Sequence, residues 1–122
     1  MSNIDLNRII TAEEKARRSA AARAEAVKAE CRQRILAHLS MEVQTNVAQA
    51  VTMHAAALLR GASPEEAGAQ SGLLDEDFPV AAAARGWIAQ MQATARARAA
   101  DPMLEETWPA LPPGVAEMAA RF

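Results

Sequence analysis

The first third of the chain is a segment of alanine, arginine and glutamate with almost no large apolar side chains. Between Ala12 and Arg34, the only apolar residues larger than alanine are Val27 and Cys31. Alanine, arginine and glutamate favour the α-helix, but a helix of this composition buries too little apolar surface to hold a fold together alone. The sequence therefore predicts a helix that packs against something else, either the rest of the chain or a partner.

Residue spacing predicts the start of this helix and its apolar side. Thr11 and Glu14 form a capping-box pattern, in which a hydroxyl and a carboxylate each satisfy a free backbone N–H, so we expect the helix to begin near Ala12. Small apolar residues then recur at steps of three or four, close to the period of a straight helix. They are Ala16, Ala20, Ala24, Val27, Cys31 and Ile35. Cys31 is expected to be a small buried hydrophobic residue rather than a nucleophile.

The next segment carries a deeper apolar stripe, which is typical of a helix that faces a core. Its members are Leu36, Leu39, Val43, Val47, Val51 and Leu58. At Ser40 the pattern allows two interpretations, because the serine could cap a new helix or the first helix could continue through it. We favour a break near Ser40. Gly61 is expected to end the segment, since glycine readily adopts the left-handed conformation that closes many helices.

Two more helices are predicted in the second half of the chain. Ser63 and Glu66 form another capping box, with proline at the first helical position, and predict a short helix that ends near Gln70. An acidic connection at 73–77 leads to a longer helix over about 78–100. One face of that helix is expected to carry Val80, Ala84, Trp87, Ile88 and Met91.

The C-terminal segment, 102–122, is punctuated by prolines and ends in a short amphipathic stretch. A solvated tail would not normally carry Trp108, Leu111 and Phe122, so we expect it to pack onto the helical body or onto a neighbouring molecule. No β-strand is predicted. The expected fold class is all-α, with a long Ala/Arg-rich N-terminal helix, a small helical bundle and a Pro-rich C-terminal tail.

The chain is accordingly divided into three segments. Residues 1–38 form the N-terminal helix, to which we assign interaction or oligomerisation, residues 39–101 form the helical body, and residues 102–122 form the tail. The polar N-terminus lacks the apolar core of a secretory signal, which predicts a cytosolic protein. No apolar run is long enough to span a membrane.

Charge and residue content argue against several classes of function. The net charge is -2 and the sequence pI is about 5.7, whereas a nucleic-acid binder needs a clustered basic surface. With two tryptophans, two phenylalanines and no tyrosine, the chain has few side chains on which bases could stack. His38, His54 and Cys31 have no partners at ligand spacing, so no metal site or cofactor is predicted. No catalytic constellation is present, and we do not expect an enzyme.

Three segments resemble small proteins encoded among the tail genes of tailed bacteriophages and prophages. They are residues 4–16 with the Ala/Arg helix that follows, residues 85–91 around a central tryptophan, and residues 108–115 with their prolines and glycine. Members of this group are described as tail-fibre assembly proteins or as uncharacterised tail proteins. The resemblance implies a virion or assembly protein of the tail, located in the host cytoplasm during assembly or in the virion tail.

The partner implied by this resemblance is a protein, either a second copy of the chain or a tail or tail-fibre protein. The residues predicted to contact it are Ala16, Ala20, Ala24, Val27, Cys31, Trp108, Leu111 and Phe122. Two alternatives remain open. The chain could be a small phage-encoded binding module or inhibitor of a host protein, with acidic residues 75–77 as its contact. It could also be a nucleic-acid-associated factor that uses the arginines of the first helix.

Overall fold

The computed structural model describes residues 3–104 and 107–122, with side chains described from Thr11 onward. Within these residues the chain is all-α and contains no strand, which confirms the predicted fold class. The helices are α1 (Asn3–His38), α2 (Met41–Leu59), α3 (Pro64–Ser71), α4 (Asp77–Ala100) and α5 (Val115–Arg121). None of the described helices is both long enough and apolar enough to cross a bilayer.

Helix α1 begins at Asn3, so the prediction of a start near Ala12 is wrong. Thr11 and Glu14 lie inside the helix, where each backbone N–H has an acceptor on the preceding turn. Residues 4–10 contain neither proline nor glycine, and nothing in them stops the helix from extending toward the N-terminus. With its 36 residues, α1 is about 54 Å long at a rise of about 1.5 Å per residue.

The predicted break near Ser40 is confirmed. Helix α1 ends at His38, and Ser40 caps α2 with an extended backbone conformation, φ -60° and ψ 158°. Its hydroxyl accepts a hydrogen bond from the backbone N–H of Val43 at 3.1 Å. On the other side of the break, the carbonyl of Leu39 accepts a hydrogen bond from the Gln44 side-chain amide at 2.8 Å. The break therefore satisfies backbone groups that the end of one helix and the start of the next leave free.

The break also changes which side of α2 faces the core. In the apolar stripe predicted across the break, Leu39 is buried and residues 43, 47 and 51 are only half-buried. The prediction is wrong at Leu36 and Leu58, which are exposed. The buried residues of α2 are Ala50, His54 and Ala57. An apolar stripe stays on one side of a helix only while that helix is continuous. The break at Ser40 interrupts the helix, so the stripe residues that follow it on α2 no longer face the core in the same way.

The second capping motif forms as predicted at Ser63. Its hydroxyl accepts a hydrogen bond from the backbone N–H of Glu66 at 3.1 Å, and α3 ends at Gly72, whose φ of 78° is left-handed. Helix α4 then carries the predicted core face, with Ala84, Trp87 and Met91 buried. Two other predicted members of that face, residues 80 and 88, are half-buried and pack against the same core.

Helices α1 and α4 pack against each other in antiparallel directions and enclose the main core. Near one end of the contact, Glu30 lies 4.0 Å from Arg98, and near the other end His38 meets the edge of the Trp87 ring at a centroid distance of 5.8 Å. Helix α3 packs against α2, and α5 packs against α4. The core cluster consists of Cys31, Ile35, Leu39, Ala84, Trp87, Met91, Ala95 and Val115.

The C-terminal tail folds back onto this body, which is one of the two destinations expected for it. Trp87 Nε1 donates a hydrogen bond to the carbonyl of Pro109 at 3.0 Å. Gly114 allows the chain to turn into α5, because its φ is 86° and a Cβ there would lie 3.2 Å from a methyl group of Val80. At the end of α5, the carbonyl of Phe122 accepts a hydrogen bond from the Asn46 side chain at 3.1 Å.

Candidate partner-binding surfaces

The first side chains of α1 that the structure describes are exposed to solvent. Every side chain over residues 11–23, which we call the arm, is exposed. Ala16 and Ala20 belong to the arm and are open to a partner. Burial begins at Ala24 and Val27, which are half-buried, and Val27 packs against the core. Packing thus divides α1 into an exposed arm and a C-terminal part that belongs to the helical body.

The surface of the arm is charged and mixed in sign. It contains four basic and two acidic residues, and one of its pairs, Glu14 with Arg18, forms an ion pair four residues apart. Farther along α1, Glu30 pairs with Arg34 at 3.0 Å. Exposed pairs of this kind stabilise a helix by only about 0.5 kcal/mol each. The arm is therefore a charged helical surface that also carries the small residues Ala16 and Ala20.

Cys31 lies in the core between α1 and α4 and is only 5% exposed. Burial raises the pKa of its thiol, which keeps the sulfur protonated at neutral pH and makes it a poor nucleophile. The prediction of a small buried hydrophobic residue is confirmed. The same burial leaves only a small part of the Cys31 side chain for a partner, because its own chain covers the rest.

The three tail residues predicted to bind a partner all contact the helical body. Trp108 lies close to two guanidinium groups, with its ring centroid 5.4 Å from Arg34 and 5.0 Å from Arg98. Cations over a tryptophan face are attracted to the ring. Leu111 packs against the core, and Phe122 is half-buried at the end of α5. These contacts attach the tail to the body.

An ion pair that the sequence analysis did not predict joins α5 to the start of α4. Arg121 donates hydrogen bonds to both carboxylate oxygens of Asp77, at 2.8 and 3.0 Å, and a third to the carbonyl of Gly72 at 3.0 Å. The backbone N–H of Leu74 also donates to Asp77, at 2.8 Å. These hydrogen bonds, from Arg121 above all, lower the pKa of Asp77 although burial opposes them, and the same pair raises the pKa of Arg121.

This ion pair changes the interpretation of the acidic connection. Residues 75–77 are the contact expected if the chain binds a host protein, but Asp77 is buried and already paired within its own chain. Only Asp75 and Glu76 remain exposed there. No local signal could have revealed the pair, because its members are 44 residues apart.

Another side chain that could serve as a metal ligand, a histidine, makes contacts that support the fold. His54 is buried, its Nδ1 lies 3.3 Å from the Ser71 hydroxyl, and its ring meets Phe78 edge-on at 4.7 Å between centroids. In the part of the chain that the structure describes, no group of three or more His, Cys, Asp or Glu side chains is placed to hold a metal ion. Comparison with protein-family models, with curated proteins and with solved structures finds no match to this chain.

Proposed function

We propose that this protein is a structural or assembly component of a bacteriophage tail that acts through helix-mediated protein–protein contacts. The observation that supports the proposal is the exposure of the arm, residues 11–23, in a helix whose C-terminal part is packed into a body. The body anchors and orients α1, and the small residues Ala16 and Ala20 of the arm are exposed, where another protein can meet them.

The arm suits close contact with a second helix. Ala16 and Ala20 are one helical turn apart and continue into the half-buried Ala24. Alanine lets two helix axes approach to about 8 Å, because no large side chain separates the backbones. A lone Ala/Arg/Glu helix in water gains little from its own side chains, so packing against another helix is its main source of further stability.

The charge of the whole chain favours a protein partner over a nucleic acid. Two acidic residues, Glu13 and Glu14, precede the four basic residues of the arm, and the whole chain has a net charge of -2. The resemblance of residues 4–16, 85–91 and 108–115 to tail-gene proteins supplies the context. In that context, the partner is a second copy of the chain or a tail or tail-fibre protein, met in the host cytoplasm during assembly or in the virion tail.

The experiment that tests this function places charge on the small-residue side of the arm. The double variant Ala16→Glu and Ala20→Glu changes only exposed positions, so circular dichroism should show unchanged helix content. Its oligomeric mass is measured by light scattering, and its association with tail particles by mass spectrometry of purified virions and assembly intermediates. We expect the variant to lose self-association or particle association.

A matched control carries the same two substitutions on the opposite side of α1, at the exposed residues Ala22 and Ala29. This control should behave like the unchanged protein. The proposal fails if the unchanged chain is monomeric and does not associate with tail particles at any stage, or if both double variants retain all association. Recovery of one host enzyme without any tail protein would also contradict it and favour a host-directed binding module.

A further inference from the structure

A groove follows one side of the α1 and α4 pair and ends at the beginning of α2. Its volume is about 680 Å³. Much of its lining is apolar, contributed by Cys31, Ile35, Leu36, Met41, Ile88 and Ala95. Met41 is 62% exposed and Leu36 is 36% exposed, so the apolar surface at this end of the groove is open to solvent. Exposed apolar surface gathered in a concave site is typical of a binding surface.

The opposite end of the groove is basic. Lys28, Arg32 and Arg96 line it, together with the apolar residues of the floor. Helices α1 and α4 are antiparallel. The start of the α1 lining, at Lys28 and Arg32, therefore lies beside the end of the α4 lining, at Arg96, and the three cations gather at one end of the groove. Lys28 lies 3.5 Å from Glu25. Among the described residues, neither Arg32 nor Arg96 has a carboxylate within 4.0 Å.

We infer that this groove binds an acidic amphipathic helix of a partner protein. The apolar end of the groove would contact the apolar side chains of such a helix. The basic end would contact carboxylates on the same face of that helix, placed before or after the apolar side chains in its sequence. Arg32 and Arg96 carry the argument, since an acidic segment would supply the counter-charges that the described residues do not.

The dimensions of the groove agree with a helix as its occupant. Its lining extends on α1 from Lys28 to Leu36 and on α4 from Ile88 to Ala99. At a rise of about 1.5 Å per residue, these stretches are about 12 and 17 Å long. That length accommodates two to three turns of a helix, enough for apolar side chains at positions i, i+4 and i+7.

Charge distinguishes this occupant from the arm of a second copy. The arm contains four basic and two acidic residues, so it would bring positive charge toward Lys28, Arg32 and Arg96. Like charges placed together at an interface oppose association. The groove and the arm are thus separate surfaces, and the inference about the groove does not depend on the function proposed for the arm.

The test uses the full chain and two synthetic helical peptides of about 14 residues, or about four turns. Both carry leucine at i, i+4 and i+7. One has glutamates beside the last leucine, and the other has lysine in place of each glutamate. Each is titrated into nitrogen-15-labelled protein at about 0.1 M salt, and chemical shifts report affinity and position. The acidic peptide should bind about tenfold more tightly than its lysine counterpart and shift the resonances of Arg32, Leu36, Met41 and Arg96.

Charge reversal then tests the cause of the preference. In the double variant Arg32→Glu and Arg96→Glu, the lysine peptide should become the tighter ligand. The control Arg60→Glu and Arg85→Glu makes the same change of charge at exposed residues outside both the groove and the arm and should keep the preference for the acidic peptide. Circular dichroism checks that each variant retains its helix content.

Several results would overturn the inference. They are equal affinity for the two peptides, no binding of either peptide, shifts confined to another surface, or an unchanged preference after reversal at Arg32 and Arg96.

Decanoate, a small anionic amphiphile, tests whether the groove takes a small molecule. If decanoate shifts the groove resonances and the acidic peptide does not, the groove takes a small amphiphile instead of a helix. Light scattering reports on the arm separately, so failure of one proposal leaves the other open to its own test.

Discussion

Arg121 donates hydrogen bonds to both oxygens of the buried Asp77 carboxylate, across 44 residues of chain. The Asp77 side chain is 5% exposed, whereas that of Arg121 is 40% exposed. The pair therefore has one end inside the protein and one end at its surface. It connects the last helix to the first turn of α4, and so it helps to keep the Pro-rich tail folded against the body.

The first prediction concerns the stability that this pair provides. Asp77→Ala should lower the free energy of unfolding by about 1 kcal/mol, since charge-assisted hydrogen bonds are lost but solvent already screens the outer end of the pair. Arg121→Met should also destabilise the protein, because it leaves the Asp77 carboxylate buried without its main partner. Urea unfolding measures both changes.

The double variant Asp77→Ala and Arg121→Met should be less destabilised than the sum of the two single variants, because each removes the same interaction. Arg18→Met, which breaks an exposed pair on α1, serves as the control and should change stability very little. If Arg121→Met is as mild as Arg18→Met, the pair does not hold α5 in place.

The second prediction is a loss of stability in acid. The pKa of Asp77 is lowered from its ordinary value of 3.8, so the unfolded chain takes up the proton at a higher pH than the folded protein does. The stabilisation by the pair is fully present above about pH 3.8 and is lost as the pH falls through the lower pKa of the folded state.

Urea unfolding of the unchanged protein and of Arg121→Met, between about pH 6 and pH 2.5, measures this effect. Carboxylates remote from Arg121 contribute equally to both proteins, so the difference between the two curves reports mainly on Asp77, the main partner of Arg121. We expect the difference to shrink as the pH falls below about 4. A difference that stays constant over the whole range would show that the charge of Asp77 contributes nothing.

The third prediction compares the two tryptophans at the junction of tail and body. Trp87→Phe removes the hydrogen bond to Pro109 and should cost about 1 kcal/mol of unfolding free energy. Trp108→Phe should cost less, because Trp108 Nε1 is buried without a hydrogen-bond partner among the described residues. The phenylalanine ring would still lie close to Arg34 and Arg98, where cation–π attraction continues more weakly.

The same two variants also differ in where they act. Hydrogen exchange should show earlier opening of α5 in Trp87→Phe, since the lost hydrogen bond holds the segment that leads into that helix. Thermal unfolding of both variants provides the stability ranking. If Trp108→Phe is the more destabilised of the two, the contact between Trp108 and the two arginines matters more than the hydrogen bond of Trp87.

The sequence was most informative where the controlling residues lie within one helical turn of each other. Ser40 and Ser63 both cap helices through the backbone N–H three residues later, and Gly72 ends α3 with a left-handed conformation. Thr11 has the same local pattern and does not start a helix. A capping motif permits a helix to begin, but the residues before it decide whether the helix begins there or continues from farther upstream.

The candidate surfaces could be predicted only in part, because the spacing of residues along one helix does not show where another helix covers it. Ala16 and Ala20 are exposed, but Cys31 on the same stripe is buried because α4 packs over that part of α1. The basic end of the groove was not predicted. Lys28 and Arg32 are neighbours on α1, but Arg96 joins them only because α4 runs antiparallel to α1.

By itself, the sequence determined the helical fold class, the break at Ser40 and the ends of the short helix α3, since propensity and capping act over a few neighbouring residues. Tertiary structure decided which face of α2 is buried, where the tail packs and that Asp77 meets Arg121. These outcomes depend on residues far apart in the chain, whose contacts form only when burial of apolar surface brings the helices together.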